Sequence, residues 1–77
     1  MNETLNSTMN EIEITLNGEP TRVPGPGTLA QLLAHLELDP RMVVVEHNRA
    51  IVRRPRLDDT PLAAGDTVEL VHFVGGG

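Results

Sequence analysis

Residues 11–23 read EIEITLNGEPTRV, a pattern that predicts a β-hairpin. Three aliphatic side chains alternate with polar ones, as in a half-buried strand: Ile12, Ile14 and Leu16. Asn17-Gly18 then supplies the two positive-φ residues of a type I′ turn, which is the strongest short signal for a hairpin. The sequence PGPG at residues 24–27 ends the second strand, because proline has no N–H to donate to a sheet.

The next segment, residues 28–37, predicts an amphipathic helix. Thr28 is a good N-cap, and Gln31 three residues later completes a capping box. Four leucines at positions i, i+3, i+4 and i+7 form one apolar stripe: Leu29, Leu32, Leu33 and Leu36. Asp39-Pro40 is expected to end the helix. The apolar stripe must be covered, and the apolar face of the hairpin is the nearest surface that can cover it.

Three further strands are predicted in the second half of the chain. Residues 42–45 form an apolar run typical of a central strand, and a turn at residues 47–49 leads to a short strand at residues 50–53. Residues 53–62 are interpreted as a basic loop and an irregular segment with one helical turn. The last strand, residues 67–74, most simply inserts beside the first and parallel to it, since the helix-containing connection is then a crossover of the allowed hand.

This order of elements predicts an α+β chain with the β-grasp (ubiquitin-like) fold. We expect a mixed sheet of about five strands packed on one helix, followed by a flexible C-terminal glycine tail. The predicted organisation is a disordered N-terminal extension at residues 1–10, the β-grasp domain at residues 11–74 and the tail at residues 75–77.

The composition excludes several classes of function. A chain of 77 residues forms one small domain, and its core must be aliphatic because Phe73 is the one aromatic residue. A net charge of −5 and the lack of stacking platforms disfavour nucleic-acid binding. The absence of cysteine excludes disulfides and thiolate chemistry within the chain. No apolar run is long enough to span a membrane and no signal-peptide pattern is present, so a cytoplasmic location is expected.

The glycines at the end of the chain are the main candidate functional residues. Gly75, Gly76 and Gly77 have no side chains to pack, so a tail made of them can thread a narrow slot in another protein. The α-carboxylate of Gly77 is the one obvious reactive group. We therefore predict a carrier or substrate whose C terminus receives the chemistry. The alternative is a frayed terminus without a function.

The last strand also carries a candidate interface. Val68 and Leu70 are expected to face the helix, which leaves Val71 and Phe73 on the other side of the strand as an apolar patch beside the tail. Such patches often mark protein–protein interfaces. Packing beneath a loop is the alternative interpretation.

The remaining polar residues predict no catalytic constellation and no metal site. Three histidines are spread over the helix, a turn and the last strand without metal-ligand spacing, which favours solvated or structural roles: His35, His47 and His72. Asp58-Asp59 is interpreted as a solvated turn or helix cap. Three neighbouring arginines are interpreted as surface charge, with a partner contact as the alternative: Arg53, Arg54 and Arg56.

Several segments resemble the ubiquitin-like sulfur carriers of thiamin (thiazole) biosynthesis, the ThiS family. They are LNGE at residues 16–19, VEHN at residues 45–48 with IV at 51–52, and GD at 65–66 leading through VELVHFV at 68–74 to the terminal glycines. The resemblance covers residues 11–77. Residues 1–10 have no counterpart in the family pattern, and the third glycine exceeds the family's diglycine minimum.

The resemblance implies a two-step activation of the C terminus. An adenylyltransferase similar to ubiquitin-activating enzymes uses ATP to convert the Gly77 carboxylate into an acyl-adenylate, with Gly75 and Gly76 threading the partner active site. A persulfide sulfur, supplied through a cysteine desulfurase, then leaves a thiocarboxylate, and thiazole synthase accepts that sulfur. The chain itself binds no cofactor and supplies no acid or base. Val71 and Phe73 are the hypothetical docking residues for the two enzymes.

Three other functions stay open at this point. The related sulfur carrier of molybdopterin synthesis also ends in diglycine. A ubiquitin-like modifier joined to target lysines predicts isopeptide adducts rather than a thiocarboxylate. A non-reactive binding module predicts that deletion of Gly76 and Gly77 changes nothing.

Overall fold

The computed structural model describes residues 11–73. Its strands and helix, in chain order, are β1 (Glu11–Leu16), β2 (Glu19–Pro24), β3 (Gly27–Thr28), α1 (Leu29–His35), β4 (Val43–His47), β5 (Ala50–Val52), β6 (Pro61–Leu62) and β7 (Thr67–His72). Two 3-10 helices lie at Pro40–Met42 and Arg54–Asp59. The predicted N-terminal extension and the glycine tail lie outside the described residues.

Five of these strands form one mixed sheet in the order β2-β1-β7-β4-β5, and β3 pairs with β6 in a small second sheet. β1 is antiparallel to β2 and parallel to β7, whereas β4 is antiparallel to both β7 and β5. The last strand therefore lies in the centre of the sheet, beside the first and parallel to it. This arrangement confirms the predicted β-grasp fold.

The two hairpins turn through pairs of residues with positive φ. Asn17 and Gly18 have φ values of 50° and 85°, which confirms the type I′ turn between β1 and β2. Asn48 and Arg49 have φ values of 50° and 73° between β4 and β5. A positive φ is uncommon for arginine, so local sequence did not predict the geometry of this second turn.

The capping box at the start of α1 is confirmed. The Gln31 N–H donates to Thr28 Oγ1 at 3.3 Å, and the Thr28 N–H donates to Gln31 Oε1 at 2.8 Å. These two bonds satisfy amide donors that the helix itself cannot pair.

The predicted end of the helix is wrong. The helix stops at His35, because Glu37 adopts a left-handed φ of 60° and the chain closes in a Schellman motif. The Leu38 N–H donates to the Leu33 carbonyl at 2.9 Å and the Glu37 N–H donates to the Ala34 carbonyl at 3.0 Å. Asp39 begins the next element instead, since its carboxylate caps the 3-10 helix that contains Met42.

The core is aliphatic, as predicted, and lies between α1 and one face of the sheet. Its buried members come from the hairpin, the helix, the central strands and the connection after β5: Ile14, Val23, Leu29, Leu32, Leu33, Val43, Val45, Leu57, Leu62 and Val68. None of the helices described between residues 11 and 73 has the length and apolar character needed to span a membrane.

The connection after β5 is more ordered than its sequence indicates. β5 ends at Val52, and the residues interpreted as a basic loop and irregular segment form the 3-10 helix Arg54–Asp59. Leu57 in this helix and Leu62 in β6 are 3% and 4% exposed. Their burial closes one end of the core, and this tertiary contact explains an element that has no periodic sequence signal.

Candidate functional site

The C-terminal strand is held at three places before the chain leaves the sheet. At its beginning, the Asn17 N–H donates to the Val68 carbonyl at 2.9 Å. Farther along, the Leu70 N–H donates to Asn17 Oδ1 at 2.8 Å, so a turn side chain replaces the strand partner that β1 no longer supplies. The Phe73 N–H donates to the Met42 carbonyl at 2.8 Å. The strand is therefore positioned up to the last described residue.

The candidate site residues at the C terminus, Gly75, Gly76 and Gly77, lie outside the described residues, and their roles stay predictions. The structure defines the position of Phe73, and the three glycines follow it in the sequence by two to four residues. At Phe73 the chain is still bonded to Met42, the residue before β4, whereas the contact with Asn17 on the other side of β7 lies three residues earlier, at Leu70.

Val71 and Phe73 are exposed on the outer face of the sheet, opposite to the helix. Val68 is fully buried on the inner face, whereas Val71 is 60% and Phe73 47% exposed. Among the described residues no loop covers them, in contrast to the alternative interpretation. Their role as a partner interface stays a prediction.

Neighbouring strands enlarge this apolar surface. Ile51 on β5 is 66% exposed, and Val44 on β4 is half-buried and lies directly opposite Val71. We call Val44, Ile51, Val71 and Phe73 the outer apolar patch. The sequence did not predict that Ile51 belongs to this patch, because only the register of β5 with β4 places it there.

A cluster of polar side chains lies at the beginning of β7. It joins the VEHN segment at residues 45–48 to the GD segment at residues 65–66. His47 Nε2 lies 2.7 Å from Asp66 Oδ2, and Asn48 Nδ2 donates to Asp66 Oδ1 at 3.3 Å. The Ala63 N–H donates to Asp66 Oδ2 at 2.9 Å, and the Thr67 N–H donates to Asn48 Oδ1 at 2.9 Å. The side chains of His47 and Asp66 are only 16% and 17% exposed. His47 is therefore structural, one of the two roles predicted for it.

The environment of Asp66 favours its charged form. Desolvation raises the pKa of this carboxyl, but the hydrogen bonds from His47, the Ala63 amide and Asn48 together outweigh it, and the pKa lies below the ordinary value of 3.8. A folded-state pKa below the unfolded value stabilises the fold above that unfolded value. The stabilisation is lost as the pH falls through the folded-state pKa.

Asp66→Asn is expected to lower the free energy of unfolding by about 1–3 kcal/mol at neutral pH, because it removes a charged acceptor shared by three donors. The difference from the unsubstituted chain should shrink as the pH falls from 3.8 through the lower folded-state pKa, at which the native carboxyl becomes protonated. Urea unfolding at a series of pH values measures both effects. Asp58→Asn, at an exposed position, is the matched control. A difference independent of pH contradicts the proposed role of the charge.

The other polar residues of the described range do not form a further cluster. Within residues 11–73, no group of three or more histidine, aspartate or glutamate residues is arranged to hold a metal ion. Asp58 and Asp59 end the second 3-10 helix and are exposed, as are the predicted surface arginines: Arg53, Arg54 and Arg56. The candidate functional features of the described residues are therefore the outer apolar patch and the anchored strand β7.

A mixed sheet packed on one helix, with a central last strand that precedes a glycine terminus, defines a ubiquitin-like β-grasp domain. The solved structure of the thiamine biosynthesis protein ThiS from Geobacter metallireducens has the same fold, with a TM-score of 0.73 and 35% identity over 86% of this chain and 100% of that chain. Residues 14–77 match the ThiS family. The chain belongs to the ThiS family of sulfur carrier proteins, which confirms the resemblance found in its segments.

Two relatives place this family in thiamin biosynthesis. The sulfur carrier protein ThiS of Bacillus subtilis is 38% identical over 65 residues, which cover 83% of this chain and 98% of that protein. A thiazole synthase of Magnetococcus marinus is 42% identical over 66 residues, which cover 86% of this chain and 20% of that protein. The chain thus spans about a fifth of that thiazole synthase, which contains a ThiS-like segment.

Proposed function

We propose that this carrier receives sulfur on the Gly77 carboxylate and delivers it to thiazole synthase. The observation that carries the proposal is the family match, which extends from residue 14 to residue 77 and so includes all three glycines. The role assigned to Gly77 comes from the resemblance to the ThiS family. The described domain supports this role because β7, the last strand, is held in the sheet up to Phe73, four residues before Gly77.

The chemistry requires an activated carboxylate. A carboxylate oxygen attacks the α-phosphate of ATP on an adenylyltransferase similar to ubiquitin-activating enzymes, and pyrophosphate leaves. A persulfide sulfur, supplied through a cysteine desulfurase, then attacks the acyl carbon and displaces AMP. Cleavage of the resulting acyl disulfide by a thiol leaves the thiocarboxylate and a new disulfide. Gly77 has no Cβ, so its acyl carbon is open to the attacking sulfur.

Thiazole synthase is the sulfur acceptor that the relatives favour. A ThiS-like segment inside a protein named thiazole synthase supports a partnership between the two domains. The same match disfavours molybdopterin synthesis as the pathway. Val71 and Phe73, which precede the tail in the sequence, are the proposed contact residues for both the synthase and the adenylyltransferase.

The proposal is tested by thiol-selective alkylation after incubation with the adenylyltransferase, ATP and a persulfide source. The chain has no cysteine, so any alkylated sulfur must be newly added, and alkylation distinguishes it from oxidised methionine. Fragment mass spectrometry is expected to locate the label on Gly77, and only when ATP is present. No label from an enzyme that is active on another carrier contradicts the proposal, and isopeptide adducts on lysines identify a modifier.

A further inference from the structure

Two glutamates lie inside the outer apolar patch. The antiparallel register of β4 and β7 places Glu46 directly opposite Glu69, two pairs along from Val44 and Val71 and therefore on the same face. The register of β4 and β5 places Ile51 on the other side of Glu46. All these side chains share the outer face, because residues two apart on a strand point the same way.

The two carboxylates repel each other in the free chain. Like charges directly opposite in an antiparallel pair are destabilising. Within residues 11–73 the ion pairs involve other acidic groups: Glu11 with Arg22, Asp39 with Arg41, and Asp66 with His47. Within the described domain neither Glu46 nor Glu69 therefore forms an ion pair, although Arg41 and Arg53 lie around Val44 and Ile51 at the far side of the patch.

A protein that covers the outer apolar patch must also cover these carboxylates. Side chains opposite each other across strands are about 5 Å apart, and successive residues on one face are about 7 Å apart, so Glu46 and Glu69 fall between Ile51 and Val71 within any footprint of useful size. Glu46 is already half-buried in the free chain. Removing both charges from water without a counter-charge is unfavourable, which excludes a purely apolar partner surface.

We propose that the outer apolar patch docks on thiazole synthase through an apolar surface that inserts an arginine or lysine between Glu46 and Glu69. This inference rests on the proposed function, which makes thiazole synthase the partner. An arginine suits the position best, because its planar guanidinium donates to two carboxylates at once. The pair then gives specificity: it disfavours partners that are apolar or acidic at this point.

The test compares Glu46→Gln, Glu69→Gln and the double variant with the unsubstituted chain. Relief of the repulsion is expected to raise Tm by about 1–5 °C. Loss of the carboxylates is expected to weaken binding to thiazole synthase about tenfold or more and to reduce its dependence on salt. Calorimetric titration in low and moderate salt measures the affinity. Glu19→Gln, on the outermost strand, removes the same charge away from the patch and is the control.

A gain in Tm together with weaker binding supports the inference, because a merely structural role cannot move the two quantities in opposite directions. Unchanged affinity of the double variant overturns the inference alone, provided that the unsubstituted chain binds the synthase and is labelled at Gly77. Failure of the unsubstituted chain to bind the synthase overturns the proposed function and this inference with it.

Discussion

Deletion of Gly77 is expected to slow thiocarboxylate formation by at least about a hundredfold while Tm stays unchanged. One extended residue spans about 3.3–3.6 Å, so the new terminal carboxylate falls short of the adenylation site by that distance. A misplacement of about 1 Å already reduces rates by a factor on the order of 10². The buried core lies between Ile14 and Val68, so loss of the last glycine removes no core contact.

Alkylation of the new sulfur, followed over time by mass spectrometry, measures the rate, and thermal unfolding measures Tm. Removal of residues 2–9 is the matched control, since it shortens the opposite end and lies outside the family match. Gly77→Ala keeps the length and isolates the effect of a Cβ at the reacting carbon. Labelling of the shortened chain at the full rate, now on Gly76, contradicts the proposed dependence on the exact position of the terminal carboxylate.

Leu33→Ala is expected to lower the free energy of unfolding by about 2–5 kcal/mol. Leu33 is 1% exposed in the stripe of α1 that packs on the sheet, so its truncation leaves a cavity that the surrounding aliphatic side chains fill only in part. A domain of 77 residues has a total stability on the order of 4–12 kcal/mol. The substitution therefore removes a large share of the total and leaves a partly unfolded chain at elevated temperature.

Urea unfolding monitored by circular dichroism measures the difference. Ile51→Ala is the matched control, because it also truncates a large aliphatic side chain but at a position that is 66% exposed, where a change within about 0.5 kcal/mol is expected. An equal decrease in the free energy of unfolding for the two variants contradicts the assignment of α1 as the helix that covers the core. Ile51→Ala belongs to the outer apolar patch, so the same variant also reports on partner binding.

The elements predicted correctly are those whose signals are local. Asn17-Gly18 supplies its own turn geometry, and Thr28 with Gln31 satisfies the first amides of α1 without help from distant residues. The alternation in β1 and the leucine stripe of α1 likewise predict which side chains face the core. The parallel placement of β7 beside β1 was also predicted correctly. One face of the sheet is covered by the helix and crossover connections are right-handed, so few other positions were open to the last strand.

The elements missed from the sequence depend on contacts between distant segments. Glu37 has no intrinsic preference for a left-handed φ, and the Schellman closure that requires it is fixed by the packing of the chain after α1. The 3-10 helix around Leu57 exists because that side chain closes the core. His47 and Asp66 are 19 residues apart, so their pairing is invisible until β4 and β7 are in register.

The sequence by itself determined the class of protein: local turn and cap chemistry, one apolar stripe and a glycine terminus point to a β-grasp carrier. Tertiary structure alone decided which side chains share the outer face of the sheet. Register sets Glu46 against Glu69 and adds Ile51 and Val44 to Val71 and Phe73. The physical reason is that cross-strand neighbours are created by sheet pairing, and no one-dimensional pattern specifies which residues of separate strands meet.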